Sequence, residues 1–265
     1  MKRERIYVEN RRKQILEILK YNPEVRVDEL AKKLEVSLIT IRRDLQYLED
    51  KNYLKRFYGG AKSTKQPETT MDAESLYRDL IARYAARFVS DEDSLFINTS
   101  RTALAILPYI SCNNVTVITN NGRAIACEYD ENVSVILTGG ELRHPKEAMV
   151  GDFALRNLQT VFANKAFIGC SGIAPLTGMT TENANEVKSN ELMIQNAIED
   201  VYLLADHTKV GKNSCFTSAP IEKITHLITD ELASKEVLDR IRERGVKVHQ
   251  VSRDDFDLDM NYIKG

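Results

Sequence analysis

The chain has no tryptophan and, in 265 residues, only four cysteines, four histidines and six prolines. Cys112, Cys127, Cys170 and Cys215 lie far apart and form no C-x-x-C pair. That spacing argues against a disulfide framework and a cysteine zinc cluster, and it makes buried free thiols beside apolar segments the expectation. His144, His207, His226 and His249 show no H-x-x-x-H pairing, so no metal site and no cofactor are expected. No run approaches the ~20 apolar residues of a membrane-spanning helix. The first thirteen residues, M-K-R-E-R-I-Y-V-E-N-R-R-K, hold no apolar stretch of signal-peptide length. These absences predict a soluble, cytoplasmic protein with no membrane partner. Internal repeats and low-complexity tracts are also missing. The length admits two domains of about 100–200 residues each.

What is present is an uneven spread of charge. Residues 1–65 hold 17 Lys and Arg against 10 Asp and Glu, whereas residues 66–265 hold 20 against 29. The overall net charge of −2 therefore conceals a basic head on an acidic body. That asymmetry points to nucleic acid as a partner of the head.

The head carries the motif V-S-L-I-T-I-R-R-D-L at residues 36–45. Ser37 is placed to cap a helix, and Ile41, Leu45 and Leu48 recur at helical spacing to form its buried face. Thr40, Arg42, Arg43 and Gln46 lie off that face, as side chains that read base edges or phosphates in a major groove would. Leu38, in the first turn, is a candidate for a thymine methyl contact, while Ile39 is expected to pack inward. Two amphipathic helices precede this one: residues 11–21, with Ile15, Leu16, Ile18 and Leu19 inward, and residues 27–34, with Val27, Leu30, Ala31 and Leu34 inward. Only Glu35, Val36 and Ser37 separate the second from the third. Residues 53–60, Y-L-K-R-F-Y-G-G, read as a hairpin strand with a glycine turn, and Lys55 and Arg56 make it basic. Three helices and a basic hairpin amount to a winged helix-turn-helix over residues 1–60. The candidate DNA-contacting residues are Ser37, Leu38, Thr40, Arg42, Arg43, Gln46, Lys55 and Arg56, with double-stranded DNA as the partner.

Residues 61–73 are polar, aperiodic and contain a proline, which suggests a linker. Residues 74–265 alternate short apolar runs with helical patterns. Strands are expected at 94–97, 115–118, 133–137, 166–168, 201–205, 226–228 and 246–251, and helices at 76–89, 102–110, 122–129, 147–158, 184–198 and 232–242. Such alternation implies an α/β domain with a mostly parallel sheet. Small, polar or basic residues follow the strands: 98–102, 119–121, 138–140, 169–172 and 206–209. In an open parallel sheet, ligands bind beyond the carboxyl ends of the strands. The candidate effector-binding residues are Asn98, Ser100, Arg101, Thr102, Thr119, Asn120, Asn121, Thr138, Gly139, Gly140 and Lys209, around a small anionic molecule. Glu182, Glu186, Lys188 and Glu191 are expected to form exposed pairs along one helix.

The two halves together resemble the DeoR family of bacterial transcriptional regulators. The head matches through V-S-L-I-T-I-R-R-D-L and L-E-D-K-N-Y-L-K-R-F-Y-G-G-A. The body matches through V-T-V-I-T-N-N, V-I-L-T-G-G-E-L-R, A-F-I-G-C-S-G-I, G-M-T-T and L-L-A-D-H-T-K-V-G. The resemblance implies a sugar-phosphate-sensing domain related in fold to ribose-5-phosphate isomerase and CoA transferases. It also implies a regulator, most often a repressor, that a pathway intermediate releases from DNA. One loop departs from the family pattern of Asp, small residue, Gly, Thr, Thr: here the five are Asn98, Thr99, Ser100, Arg101 and Thr102. Arg101 either grips a phosphate or carboxylate or fills the anion position itself. The loop corresponding to the isomerase carboxylates is Cys-Ser-Gly-Ile-Ala at 170–174, without an acid or base for enolisation. Glu141 lies on the family's ordinary T-G-G-x-L-R pattern. No catalysis is therefore expected.

Three readings follow. The first is a repressor of a sugar or carbohydrate operon, working as a homo-oligomer, dimer or tetramer, because one helix-turn-helix reads only one half-site. The second is a sugar-phosphate isomerase or CoA-handling enzyme with a DNA-binding head. The third is a DNA-binding protein whose body is a ligand-free scaffold.

Overall fold

The computed structural model describes residues 73–253 and, nearer the N-terminus, residues 8, 11, 12, 14–16, 18, 19, 24–34, 36–50, 53–57 and 59–63. The chain divides into two compact units, residues 1–72 and 73–265.

In the first unit, Arg11, Arg12, Gln14, Ile15, Leu16, Ile18 and Leu19 are helical, while Tyr21, the expected end of that helix, lies outside the described residues. Helix α1 spans Val27–Lys33 and α2 spans Leu38–Asp50. Strands β1 (Glu24–Arg26), β2 (Leu54–Phe57) and β3 (Gly60–Ser63) form an antiparallel sheet in the order β1-β3-β2. The core is the apolar set that the periodicity selects, with Ile15, Leu19, Leu30, Ile41, Leu45 and Leu48 all buried. Three expectations change. Ile39 does not pack inward but is 63% exposed. Strand β3 occupies the start of the expected linker, because Ala61 pairs with Val25 and is fully buried. The third strand, β1, is too short to carry a periodic signal. Gly60 permits the tight pairing, since a Cβ there would stand 2.5 Å from the carbonyl oxygen of Val25.

The second unit is built on seven strands: β4 (Ser94–Ile97), β5 (Val115–Thr119), β6 (Val133–Leu137), β9 (Ala163–Gly169), β12 (Ala197–Leu204), β14 (His226–Asp230) and β15 (Lys247–Val251). All seven expected strands are found. Every pairing is parallel, in the order β15-β14-β12-β9-β4-β5-β6. Alternate side chains enter opposite cores. Phe96, Ile168 and Leu203 join one layer, whereas Leu95, Ile97, Phe167, Tyr202 and Leu204 join the other. A parallel sheet buried on both faces in this way requires nearly continuous apolar strands.

The main helices are α3 (Ala73–Ala86), α5 (Asp152–Gln159), α6 (Ala184–Gln195) and α7 (Lys235–Arg242). Other expected helices are shorter or differ in kind. Residues 102–110 form a four-residue α4 (Arg101–Leu104) and a 3₁₀ turn at Leu107–Tyr109, and residues 122–129 form a 3₁₀ segment at Gly122–Ala126. The pattern at 147–158 begins as a strand, β8 (Ala148–Val150), paired with β7 (Glu141–Arg143). Gly151, at φ +87°, separates it from α5. A small antiparallel sheet of β10 (Gly172–Ala174), β11 (Gly178–Thr181) and β13 (Phe216–Ala219) was not expected. All four cysteines are free, but Cys215 is exposed and the other three are only partly buried. Among the described residues no helix is long and apolar enough to cross a membrane.

Two of the histidines form a pair inside this unit. His226 Nδ1 lies 2.9 Å from His249 Nε2, and Tyr84 Oη lies 3.2 Å from His249 Nδ1. Burial among Phe88, Tyr202 and Tyr84 lowers both histidines below the ordinary 6.5. At His226, Asp200 partly opposes this while the charge of His249 and Lys247 adds to it, and Lys247 also lowers His249. A 2.9 Å contact needs one donor and one acceptor, so it fails if both rings are fully protonated. As pH falls below about 6.5, the unfolded chain takes up protons before the folded one. The stabilisation is therefore complete above that pH and is lost as pH falls through the folded values. The melting temperature should drop between pH 7 and 5, and His226→Gln/His249→Gln should flatten that slope. An equally steep profile in the double variant would contradict the assignment.

Candidate functional site

The recognition helix begins where its motif requires. Ser37 Oγ accepts the Thr40 backbone N–H at 3.2 Å and lies 2.9 Å from Thr40 Oγ1. The capping side chains are thereby occupied with each other. Arg42, Arg43 and Gln46 are exposed, and the two arginines make no ion pair among the described residues. Lys55 is exposed, but Arg56 is committed: its Nε donates to Glu49 Oε2 at 2.7 Å and its backbone N–H to Glu49 Oε1 at 2.8 Å. Those bonds hold the Glu49 carboxyl below its ordinary range and tie β2 to α2. Leu38 is 45% exposed.

A further element was missed in the sequence. Asp44, beside Arg43, is 2% exposed and accepts from Arg11 Nε at 2.6 Å and Arg12 Nε at 2.9 Å. Arg12 also lies 3.6 Å from the Tyr47 ring centroid. The R-R pair at 11–12 thus orients the recognition helix from behind. The signal that could have found it is an acid placed on the inward side of an otherwise apolar seam. Replacing Arg42 or Arg43 by Ala should weaken DNA binding by about 1–3 kcal/mol for a base contact. A phosphate contact would instead reduce the salt slope by about one unit. Unchanged anisotropy titrations for both variants across a salt series would remove these residues from the interface.

In the second unit, strand order reverses between β4 and β9, and a cleft opens beyond their carboxyl ends, as such sheets favour. The cleft has a volume of about 720 Å³. Asn98, Ser100, Arg101, Thr102 and Lys209 line it together with Arg78, Arg123, Lys146, Lys212, Glu186 and Asp206. Asn98 is buried and saturated. It donates to the Gly169 carbonyl and to Asn190 Oδ1, both at 2.9 Å, and accepts from the backbone N–H groups of Gly169 and Ser100. It fastens the two loops rather than offering free atoms. Ser100 Oγ caps α4 by accepting from Thr102 and Ala103. Arg101 is exposed and its side chain makes no ion pair or hydrogen bond to another described residue, so its guanidinium does not fill the site through internal bonds. Arg78 and Lys212 likewise make no ion pair among the described residues.

Other charges are already matched. Lys209 Nζ lies 2.8 Å from Asp206 Oδ2. Burial raises the Asp206 carboxyl, but the bonds from Lys209 and Thr208 outweigh it and hold it below its ordinary value. Glu186 is not on an exposed face as expected. It is 4% exposed, with Lys146 Nζ at 2.9 Å and Thr181 Oγ1 donating at 3.0 Å. Lys188 and Glu191 do form an exposed pair, and Glu182 lies at the cleft. Burial pushes the Cys170 thiol up to about 12, so it stays protonated.

Six expected effector residues do not line this cleft. Thr119 Oγ1 donates to the Ile97 carbonyl and accepts the Asn121 N–H. Asn121 caps the 3₁₀ segment by accepting from Arg123 N, and it donates toward the Asn98 and Ser100 carbonyls. Asn120 is buried, with Nδ2 3.4 Å from the Met149 carbonyl. Thr138, Gly139 and Gly140 form a turn against β8 and α5. Thr138 accepts from Asn157, and a Cβ on Gly140 would stand 2.6 Å from the Val150 carbonyl oxygen. The β7-β8 hairpin, absent from the sequence reading, receives these residues instead.

A three-helix head with a hairpin, joined to a parallel α/β body with a polar cleft, defines a helix-turn-helix transcriptional regulator with a sensor-type domain. The chain belongs to the DeoR family: residues 11–67 match the DeoR-like helix-turn-helix domain and residues 74–231 the DeoR C terminal sensor domain. Relatives share this build along their length. The uncharacterized HTH-type transcriptional regulator YulB of Bacillus subtilis is 32% identical over 251 residues, covering 92% of this chain and 97% of the relative. The transcriptional repressor GlcR of the same organism is 30% identical, covering 94% and 99%. The lactose phosphotransferase system repressor of Staphylococcus aureus is 32% identical, covering 78% and 85%. Among solved structures, ribose 5-phosphate isomerase A from Methanocaldococcus jannaschii aligns at 14% identity, TM-score 0.35, over 50% of this chain and 52% of that one, a likeness too slight to carry an argument.

Proposed function

We propose that this DeoR-family regulator represses a sugar or carbohydrate operon as a homo-oligomer on double-stranded operator DNA, and that a sugar phosphate in the cleft releases it. The observation that carries the reading is the presence of Arg78, Arg101 and Lys212, without ion partners among the described residues, around a cleft of about 720 Å³. Arginine's planar fork suits two anion oxygens. The name of the lactose phosphotransferase system repressor supports a sugar-linked pathway, and both it and GlcR support repression. We place DNA binding in residues 1–60, extended to Ser63 by β3, a connection up to residue 73, and sensing and assembly in residues 74–265. Catalysis is not part of the proposal, because Asp206 and Glu186 are each held by a lysine and Cys170 stays protonated.

The test is a melting-temperature panel of sugar phosphates and their unphosphorylated parents on the full chain. A phosphorylated compound should raise the transition and also release DNA, while its parent should do neither. No shift with any member would favour the second reading, a ligand-free scaffold. That reading draws on one observation: Ser100 Oγ already accepts the Thr102 and Ala103 N–H groups that an anion would otherwise meet.

A further inference from the structure

The exposed aliphatic residue of the recognition helix has a definite place on its surface. Successive residues of an α-helix turn by about 100°. With Ile41 marking the buried direction, Ile39 stands about 160° away, Gln46 about 140°, Arg42 about 100° and Arg43 about 160° on the other side. Ile39, Arg42, Arg43 and Gln46 are thus the i, i+3, i+4 and i+7 members of one stripe. Leu38 lies about 60° from Ile41, on the flank. Ile39 is 63% exposed, Leu38 is 45% exposed, and Ile41 is fully buried. Thr40 is occupied by the Ser37 cap. A β-branched aliphatic in the first turn of a recognition helix lies where base edges are contacted, since that end of the helix enters the major groove. An aliphatic group cannot pair with phosphate or with a base donor. The apolar feature that the major groove presents is the thymine C5 methyl group.

We infer that Ile39 is a specificity-determining residue that packs against a thymine methyl in each half-site, between the contacts of Arg42 and Arg43. Polar neighbours then set affinity, and Ile39 sets discrimination at one base pair. Its removal leaves the fold intact because the side chain contributes nothing to the core and alanine is the better helix former.

The experiment uses the full chain and a duplex selected by it from a random library. Each thymine is replaced in turn by deoxyuridine, which removes only the methyl group. One replacement per half-site should weaken wild-type binding about fourfold, the factor corresponding to one buried methyl. Ile39→Ala should bind the thymine duplex about as weakly as the wild type binds the uracil duplex, and should not distinguish the two. Circular dichroism should show an unchanged transition. The inference is overturned by a selected site without an invariant thymine, by equal tolerance of uracil everywhere, or by a uracil penalty that persists in Ile39→Ala. Should Ile39→Ala bind no duplex, Ile39→Val makes the same comparison: a reduced penalty supports the contact, and an undiminished one refutes it.

Discussion

Asp44→Ala is expected to unfold or loosen the N-terminal unit and to abolish operator binding, while the melting of the second unit stays unchanged. Asp44 is almost fully buried and pairs with both Arg11 and Arg12. Removing one member of a buried ionic cluster costs about 3 kcal/mol or more, because the remaining charges are left without partners. The arginines are 18% and 22% exposed, so partial hydration reduces the penalty. A unit of this size has on the order of 3–9 kcal/mol in total, and the loss is therefore a large fraction of it. The variant also frees the stacked Arg12–Tyr47 arrangement that aims α2. Asp44→Asn should be milder, since the amide oxygen still accepts. Two-transition calorimetry of the full chain would detect the effect, and an unshifted first transition in Asp44→Ala would show that the cluster is not structural.

The second large effect concerns the cleft. Arg101→Ala and Lys212→Ala should each weaken the response to an anionic effector by about ten- to a hundredfold, the range for losing one hydrogen bond to a charged group. Operator affinity without effector should not change. Both side chains are exposed, and neither makes an ion pair among the described residues, so the folded state loses no internal bond. Lys209→Ala should behave differently. It strips Asp206 of its partner, leaving a buried carboxylate beside the cleft, and should lower thermal stability as well as effector response. Dose–response curves for DNA release, read beside melting temperature, separate the two outcomes. Equal effector sensitivity in all three variants would place the anion elsewhere.

The legibility of these features follows from the range of the forces that create them. The buried face of α2, the Ser37 cap and all seven parallel strands were readable because each depends on neighbours within a few residues: periodicity, a capping oxygen, a short apolar run. The helix expected at 147–158 failed for a related reason. Its apolar spacing fits a helix, but Gly151 at positive φ breaks the chain, and the first part pairs with β7.

The sites were less readable than the fold. Alternation and the strand-end loops alone sufficed to place a cleft beyond the sheet, and to include Ser100, Arg101, Thr102 and Lys209 in it. They could not show that the loops after β5 and β6 turn away to receive the β7-β8 hairpin, or that Arg78, Lys212 and Glu186 arrive from other elements. Exposure was misread from residue type: Ile39 looks like a core residue but faces solvent, about 160° from Ile41 around the helix. Asp44 looks like a surface acid and is buried under two arginines.

By itself, then, the sequence determined the two-part organisation, the charge contrast between the parts, the element types and the recognition-helix face. All of these are encoded in local patterns of polarity and turn chemistry. Only the tertiary structure decided which strand-end loops share a cleft, which charges there are already neutralised, and which arginines of the head make no ion pair among the described residues. Those outcomes depend on strand order and on contacts between residues tens of positions apart, such as Asn98 with Gly169 and Asn190, and local pattern carries no record of which distant partner a polar side chain will find.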